Sequence, residues 1–205
     1  MTERLTPRSI AIVGNAPDMA DQGGRIDAAD WVVRFNNASG FGAHAGRRVT
    51  HLALVNHGGQ MREWLDDPGF ISRPVVRAAG SILFPFARKA GPLEDPDADG
   101  RCWTAEAEAR LGPLGSSMTI LPFDVHRKAE AILRTRDRPY AVPSTGFLVA
   151  LHVLSALPAS TRVGLYGFGF AGWSGHHWQG ERAHFEALRK AGRLDLHPLD
   201  EPLSA

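Results

Sequence analysis

The fold of this chain is constrained most by a regular alternation of short apolar runs and longer helical patterns. The apolar runs are strand-length, often β-branched and bounded by Gly, Pro, Asn or Asp; they cover residues 10–13, 31–35, 51–55, 81–84, 118–121 and 163–166. The helical patterns cover residues 59–65, 104–111, 124–133, 145–157 and 181–191. Such alternation predicts a mostly parallel sheet with helices on both faces. We therefore expect one Rossmann-like α/β domain over residues 1–205.

Length and composition narrow the class of protein. A chain of 205 residues is long enough for one such domain and short for two. The net charge of +1 gives no reason to expect nucleic acid or an anionic membrane surface as the main partner. A lone cysteine, Cys102, cannot form an internal disulfide, and no run has the apolar core of a signal peptide or the length of a membrane span. We expect a cytoplasmic protein without stable membrane insertion.

One segment departs from the alternation. Residues 91–101 are acidic, contain repeated Pro and Gly, and are poor in apolar side chains. This composition predicts a mobile surface loop.

Two strand ends near the N-terminus carry polar groups. Gly14 and Asn15 follow the first strand, and Asn36 ends the second. Glycine permits close approach of a ligand to the backbone, and an Asn side chain can donate to a phosphate and accept from a ribose hydroxyl. Neither a P-loop nor a dinucleotide fingerprint is present. The alternative is that Asn15 and Asn36 only fix their turns. Arg34, which lies in the second strand, is either an anion ligand or a surface charge.

A second group of candidates lies downstream. Ser144, Thr145 and Gly146 begin a helical pattern, where two hydroxyls and free amides suit a carboxylate or phosphate. Gly167 and Gly169 follow the last long strand. Carboxyl ends of parallel strands meet at one edge of a sheet, so these distant segments can build one anion site. The alternative for Ser144 is an ordinary helix cap.

Histidine provides the candidate for acid–base chemistry. His176 and Glu181 are five residues apart, near the beginning of the last helical pattern. A histidine there can act as a general base, and a carboxylate in the first helical turn can orient its neighbour. No metal site is expected, because the ligand set is too sparse. A nucleophilic Ser144 lacks the nucleophile-elbow pattern.

Taken together, these segments resemble the motifs of the sialyltransferases of the animal and plant type. Residues 12–51 are similar to the long motif, residues 143–169 to the short motif, residues 176–179 to the third motif, and His176 with Glu181 to the very short motif. The paired motif cysteines are missing, with Ile10 at the first position, as are an anchor and a stem. This is typical of a compact bacterial relative. Such proteins are sometimes labelled urease operon accessory proteins, which describes gene neighbourhood rather than chemistry.

The resemblance implies a variant of the glycosyltransferase A-type fold and an inverting, metal-independent transferase without a cofactor. Its donor would be a CMP-activated keto-acid sugar, sialic acid or Kdo-like, and its acceptor a glycan or small molecule. Asn15 and Asn36 would hold the CMP phosphate and ribose. The donor carboxylate and cytidine would be held by Ser144, Thr145, Gly146, Gly167 and Gly169. His176 would be the base and His177 would meet the leaving phosphate, two roles that are interchangeable on this basis.

Two other classes stay open. An accessory protein could keep the CMP pocket without turnover, since an acceptor site cannot be read from the sequence. A nicotinamide or flavin protein ranks last, because its glycine fingerprint is absent.

Overall fold

A computed structural model of the chain describes residues 6–89 and 100–200. The loop predicted at 91–101 therefore lies outside the described residues except for its last two positions. The strands of the described part are β1 (Ser9–Val13), β2 (Trp31–Phe35), β3 (His51–Ala53), β4 (Ser81–Phe84), β5 (Ser117–Ile120), β6 (Arg162–Tyr166) and β7 (Asp195–Leu196). The helices are α1 (Gly23–Asp27), α2 (Gly59–Asp66), α3 (Pro74–Ala78), α4 (Thr104–Leu111), α5 (Phe123–Leu133), α6 (Thr145–Ala156) and α7 (Trp178–Lys190).

The seven strands form one open sheet in the order β5-β4-β3-β2-β1-β6-β7, and every pairing is parallel. The chain moves outward from β1 to β5 and then crosses back to place β6 on the other side of β1. The strand order thus reverses at β1. In open parallel sheets, ligands bind at the carboxyl ends of the strands beside such a reversal.

The core occupies both faces of the sheet. Ile10 and Ile12 of β1 join one large cluster that includes buried residues of α5, α6 and α7. Ala11 and Val13 point to the opposite face, because successive strand residues alternate. That opposite face is covered by α1 and, beyond it, by a cluster that contains residues of α2, α3 and α4. The prediction of a parallel sheet with helices on both faces is confirmed.

The predicted six strands and five helices are all present; besides the 3-10 turns Phe70–Ser72 and Gly112–Leu114, three short elements were missed. These are α1, α3 and β7, which have five, five and two residues. Elements this short do not complete the periodic pattern on which a prediction rests. The last helix begins at Trp178 instead of residue 181, which changes the setting of both neighbouring histidines.

Candidate active site

A pocket of about 620 Å³ lies at the carboxyl ends of β1, β2 and β6. It brings together eight of the predicted site residues: Asn15, Asn36, Ser144, Thr145, Gly146, Gly167, Gly169 and His176. The aromatic rings of Phe35, Phe168 and Phe170 complete much of its lining. Its position is the one that the reversal of strand order favours for a ligand.

Glycines allow the ends of β1 and β6 to touch. The Gly14 amide donates to the Tyr166 carbonyl at 2.7 Å, and the Ala16 amide donates to the Gly167 carbonyl at 3.1 Å. A Cβ atom on Gly14 would lie 2.3 Å from the Gly167 carbonyl oxygen. Gly167 itself has a φ of +64°, which favours glycine. This part of the pocket is therefore built from backbone and leaves no room for side chains.

Gly14→Ala is expected to destabilise the protein by about 1–3 kcal/mol, since the new methyl group meets rigid backbone. Gly24→Ala in α1 is the matched control, because a Cβ there meets nothing within 4 Å. Thermal unfolding followed by circular dichroism measures both. A Gly14→Ala variant as stable as Gly24→Ala would contradict the close backbone contact.

Asparagine side chains join the strand ends along this edge. Asn15 Nδ2 donates to the Phe35 carbonyl at 3.0 Å, and Asn15 Oδ1 accepts from the Ser39 amide at 2.9 Å. Asn36, with a φ of +51°, accepts from the Val55 amide at 3.0 Å. Both residues thus fix their turns and also line the pocket. Within the described residues the Asn36 Nδ2 group makes no hydrogen bond, so it is free to donate to a ligand.

The sequence analysis missed a third member of this series, Asn56. It follows β3, is fully buried, and its Oδ1 accepts from the Phe86 amide at 3.0 Å while its Nδ2 donates to Thr104 Oγ1 at 2.7 Å. Each of β1, β2 and β3 is thus followed by an asparagine whose side chain forms a hydrogen bond with the segment that follows the next strand in the chain. The recurrence of Asn after three successive strands was the available signal.

The beginning of α6 presents free amides to the pocket. Ser144 is the N-cap, and its Oγ accepts from the Phe147 amide at 3.1 Å, as the cap interpretation predicts. The Thr145 and Gly146 amides have no hydrogen-bond partner among the residues that the structure describes. Unpaired amides at a helix N-terminus carry partial positive charge and suit an anion.

The carboxylate of Glu181 holds the N-terminus of α6 in place from the side away from the pocket. Its Oε1 accepts from the Ser144 amide and its Oε2 from Ser144 Oγ, both at 2.7 Å. Glu181 is only 1% exposed and is not among the residues that line the pocket. Burial raises the pKa of Glu181, while the bonds from Ser144 and the nearby His177 oppose the rise. Its position is that of a positioning residue, since it ties α7 to the start of α6.

His176 lines the pocket in the form that a base needs. Its Nδ1 lies 2.9 Å from the Val142 carbonyl oxygen, so Nδ1 carries the proton and Nε2 holds the free electron pair. Burial lowers the pKa of His176, and the bond to Val142 opposes this only in part. The imidazole is therefore neutral at neutral pH. Trp173 and Trp178 contact the ring edge-on, with centroids 4.9 Å and 4.8 Å away.

The structure does not bring His177 into the pocket with the other predicted residues. His177 is the N-cap residue of α7, and its Nδ1 lies 3.0 Å from the Leu133 carbonyl oxygen at the end of α5. It is absent from the pocket lining. The two adjacent histidines therefore have different settings, one at the pocket and one between two helices.

The prediction that Arg34 is either an anion ligand or a surface charge is wrong. Arg34 is fully buried; its Nε donates to the Arg48 carbonyl at 2.8 Å and its Nη2 to the Ala45 carbonyl at 2.5 Å. Burial lowers its pKa to about 10, so it stays charged at neutral pH. Arg34 holds the segment before β3 against the sheet.

Among the residues that the structure describes, the pocket lining contains no Lys or Arg, and its charged groups are limited to Asp18 and, when protonated, His176. A bound anion would therefore rely on amides and hydroxyls. Among residues 6–89 and 100–200, no three His, Cys, Asp or Glu side chains are grouped so that they could hold a metal ion. Over the same residues, no helix is both long and apolar enough to cross a bilayer.

The fold and pocket define this chain as a protein of the sialyltransferase fold. A mammalian sialyltransferase in complex with Gal-beta-1-3GalNAc-ortho-nitrophenol superposes with a TM-score of 0.55 over 93% of this chain and 69% of that chain, at 17% identity. The sialyltransferase CstII from Campylobacter jejuni, in complex with CMP-3FNeuAc, superposes with a TM-score of 0.57 over 94% of this chain and 81% of that chain, at 12% identity. These likenesses confirm the predicted fold.

The sequence places the chain more narrowly. It is 32% identical over 203 residues to the urease operon 23 kDa accessory protein of Rhizobium meliloti, covering 93% of this chain and 94% of the relative. The chain therefore belongs to the family of that accessory protein. No protein-family model matches it.

Proposed function

We propose that this protein is an inverting, metal-independent glycosyltransferase whose donor is a CMP-activated keto-acid sugar, sialic acid or a Kdo-like sugar. The observation that carries the proposal is the pocket itself. It joins both predicted motif regions at the reversal of strand order, with free helix amides on one side and His176 in its lining. Its volume of about 620 Å³ is ordinary for a site that encloses a small organic ligand.

The donor would be held by neutral hydrogen-bond donors. The amides of Thr145 and Gly146 and the dipole of α6 would bind the phosphate or the carboxylate. Asn36 Nδ2 would add a further donor from β2. The rings of Phe168 and Phe170 would pack against the cytidine. Such an arrangement would stabilise the donor's negative charge through hydrogen bonds and the dipole of α6, without a divalent cation.

His176 would act as the general base. The acceptor hydroxyl oxygen bonds to the anomeric carbon while the bond from that carbon to the phosphate oxygen breaks. CMP leaves with the electron pair, and the hydroxyl proton passes to His176 Nε2. The bond from Nδ1 to the Val142 carbonyl stabilises the imidazolium that forms. Glu181 would act indirectly, by holding Ser144 and the first turn of α7 in place.

We expect selective binding of CMP in the presence of EDTA, because the site relies on amides and hydroxyls. Isothermal titration calorimetry with CMP, UDP, ADP and NAD tests this, and a thermal-shift series checks it through the stabilisation that a bound ligand confers on the folded state. Equal or tighter binding of UDP or NAD would reject the donor. Loss of CMP binding in EDTA would reject metal independence.

A non-catalytic accessory protein that binds CMP is the second candidate, favoured by the name of the relative at 32% identity. CMP binding alone does not separate the two. An assay for slow hydrolysis of CMP-sialic acid or CMP-Kdo, which measures the CMP released, distinguishes the enzyme from the accessory protein. A protein that binds CMP and hydrolyses neither donor, with or without acceptors, would be the accessory protein.

A further inference from the structure

The two edges of the sheet differ in how well they are protected against pairing with another chain. The edge strand β7 is two residues long, begins with Asp195 and is followed by Pro198, and all three features hinder such pairing. The other edge strand, β5, has four residues without a charge or a proline. In the described part of the chain, no strand pairs with its outer side. β5 is thus an open edge that can accept a further strand.

The backbone of β5 presents hydrogen-bonding groups to this open side. The amides of Ser117 and Leu121 donate to carbonyl oxygens of the β4 segment, at 3.1 Å and 2.9 Å. Residues that bond to one neighbouring strand alternate along a ladder with residues that face the other side. The N–H and C=O groups of Met118 and Ile120 therefore point away from β4, toward the open side of the sheet.

The side chains of β5 divide between the two faces of the sheet. Ser117 and Thr119 are exposed, whereas Met118 and Ile120 are half-buried and pack against the core cluster that contains residues of α2, α3 and α4. This core therefore extends to the last strand of the sheet, and its two outermost apolar side chains keep part of their surface in water. A further strand would cover that surface.

We propose that β5 is the interface of a reversible homodimer, in which the β5 strands of two copies pair antiparallel about a twofold axis at Thr119. Met118 of each copy would lie opposite Ile120 of the other, and the two such pairs would form four hydrogen bonds. On one face, these apolar pairs would join the two cores. On the other, the two Thr119 side chains would lie side by side, a favourable cross-strand pair.

The edge is complementary to a second copy of itself. A twofold axis places residues near it close to their own equivalents, so a charge there would meet a like charge. The chain carries no charged residue from Gly112 to Phe123, and its net charge of +1 adds little repulsion. The same register places Phe123, which is 69% exposed, opposite Gly115 of the second copy. An aromatic ring can shelter backbone that a glycine leaves uncovered.

The size of the contact sets its strength. A four-residue strand pair with one flanking ring on each side buries less than the roughly 800 Å² per partner of a standard stable interface. We therefore expect monomers and dimers in exchange, with a dissociation constant on the order of 10 μM.

Sedimentation velocity of the full chain over a range of protein concentrations tests the dimer. The wild type should shift from monomer to dimer as the concentration rises. Thr119→Lys changes an exposed side chain and places two like charges in the closest cross-strand pair, so it should weaken dimerisation at least about tenfold. Ser160→Lys is the matched control: it adds the same charge at an exposed site just before β6, and it should dimerise as the wild type does. Wild-type protein that stays monomeric at several hundred micromolar, or dimerises no better than Thr119→Lys, would overturn the inference.

Disulfide trapping tests the register, in a Cys102→Ser background so that the only thiol is the introduced one. In the proposed dimer the two Thr119 Cα atoms are about 4.5 Å apart, within reach of a disulfide, whereas the two Ser117 Cα atoms are about 13 Å apart. Diamide should convert Thr119→Cys, but not Ser117→Cys, to a covalent dimer on a non-reducing gel. No covalent dimer from Thr119→Cys, or equal amounts from both variants, would contradict the pairing. This readout holds even if Thr119→Lys does not fold, and neither measurement involves the proposed donor.

Discussion

Replacement of His176 by alanine is expected to lower donor hydrolysis and transfer by at least about 100-fold, the usual effect of losing a general base. The affinity for CMP should stay nearly unchanged, because a base acts on the acceptor hydroxyl and not on the bound nucleotide. Initial rates with CMP-sialic acid or CMP-Kdo, together with calorimetry for CMP, measure the two effects on one protein preparation.

His177→Ala is the control for this experiment. It removes the bond to the Leu133 carbonyl but no residue of the pocket lining. We expect its turnover to stay close to the wild-type value. If His177→Ala loses turnover and His176→Ala keeps it, His177 and not His176 would be the general base.

The pH dependence of turnover provides a second readout for His176. The base must be deprotonated to accept the hydroxyl proton, so activity should fall as the pH drops through its pKa. Burial places that pKa below the ordinary 6.5. We therefore expect the midpoint of this decline to lie below pH 6.5. A decline that begins well above pH 7 would contradict the assignment.

Glu181→Ala is expected to destabilise the protein by about 2–4 kcal/mol. The change removes the acceptor of two 2.7 Å hydrogen bonds from Ser144 and leaves the buried Ser144 amide unsatisfied. For a chain of this length the melting temperature should fall by about 5–15 °C. Turnover should fall in the variant that remains folded, since Glu181 links the start of α6 to the helix that follows His176.

Glu181→Gln removes the titratable carboxyl group while keeping the size and shape of the side chain. Burial raises the pKa of Glu181 above its ordinary 4.5, so the folded protein holds this proton more tightly than the unfolded chain does. The stability that this group contributes is therefore complete below pH 4.5 and declines as the pH rises through the raised pKa. The free energy of unfolding of the wild type, relative to Glu181→Gln, should decrease over that range. Urea unfolding at several pH values measures this difference, and an increase with pH would contradict the buried setting.

Much of the candidate site followed from the order of motifs along the chain. Asn15, Asn36, Ser144 and Gly167 lie at strand ends or at a helix start, and the parallel sheet gathers such positions at one edge. Asn56 obeys the same rule and was overlooked, because no motif surrounds it. The recurrence of Asn after three successive strands was the local signal, whereas its partners Phe86 and Thr104 lie 30 and 48 residues away.

Arg34 shows where alternation along a strand is insufficient. Its neighbours Val33 and Phe35 face the larger core, so Arg34 must point to the opposite face of the sheet. In an edge strand, or in a sheet with one uncovered face, that face would be exposed to solvent. Here β2 lies between β1 and β3, and the segment before β3 covers it. Side chains alternate with the same period whether that face of the sheet is covered by protein or exposed to solvent, so the local pattern cannot distinguish these two settings.

The sequence by itself determined the class of fold and the strand ends that carry the pocket, because periodicity and turn residues act over a few neighbouring positions. Only the tertiary structure places His176 in the pocket lining and His177 outside it. These residues are adjacent and chemically identical, and nothing within their local segment separates them. What separates them is the carbonyl that each one meets: Val142, 34 residues away, for His176, and Leu133, 44 residues away, for His177. Such pairings depend on how α5, α6 and α7 pack on the sheet, which short-range patterns do not encode.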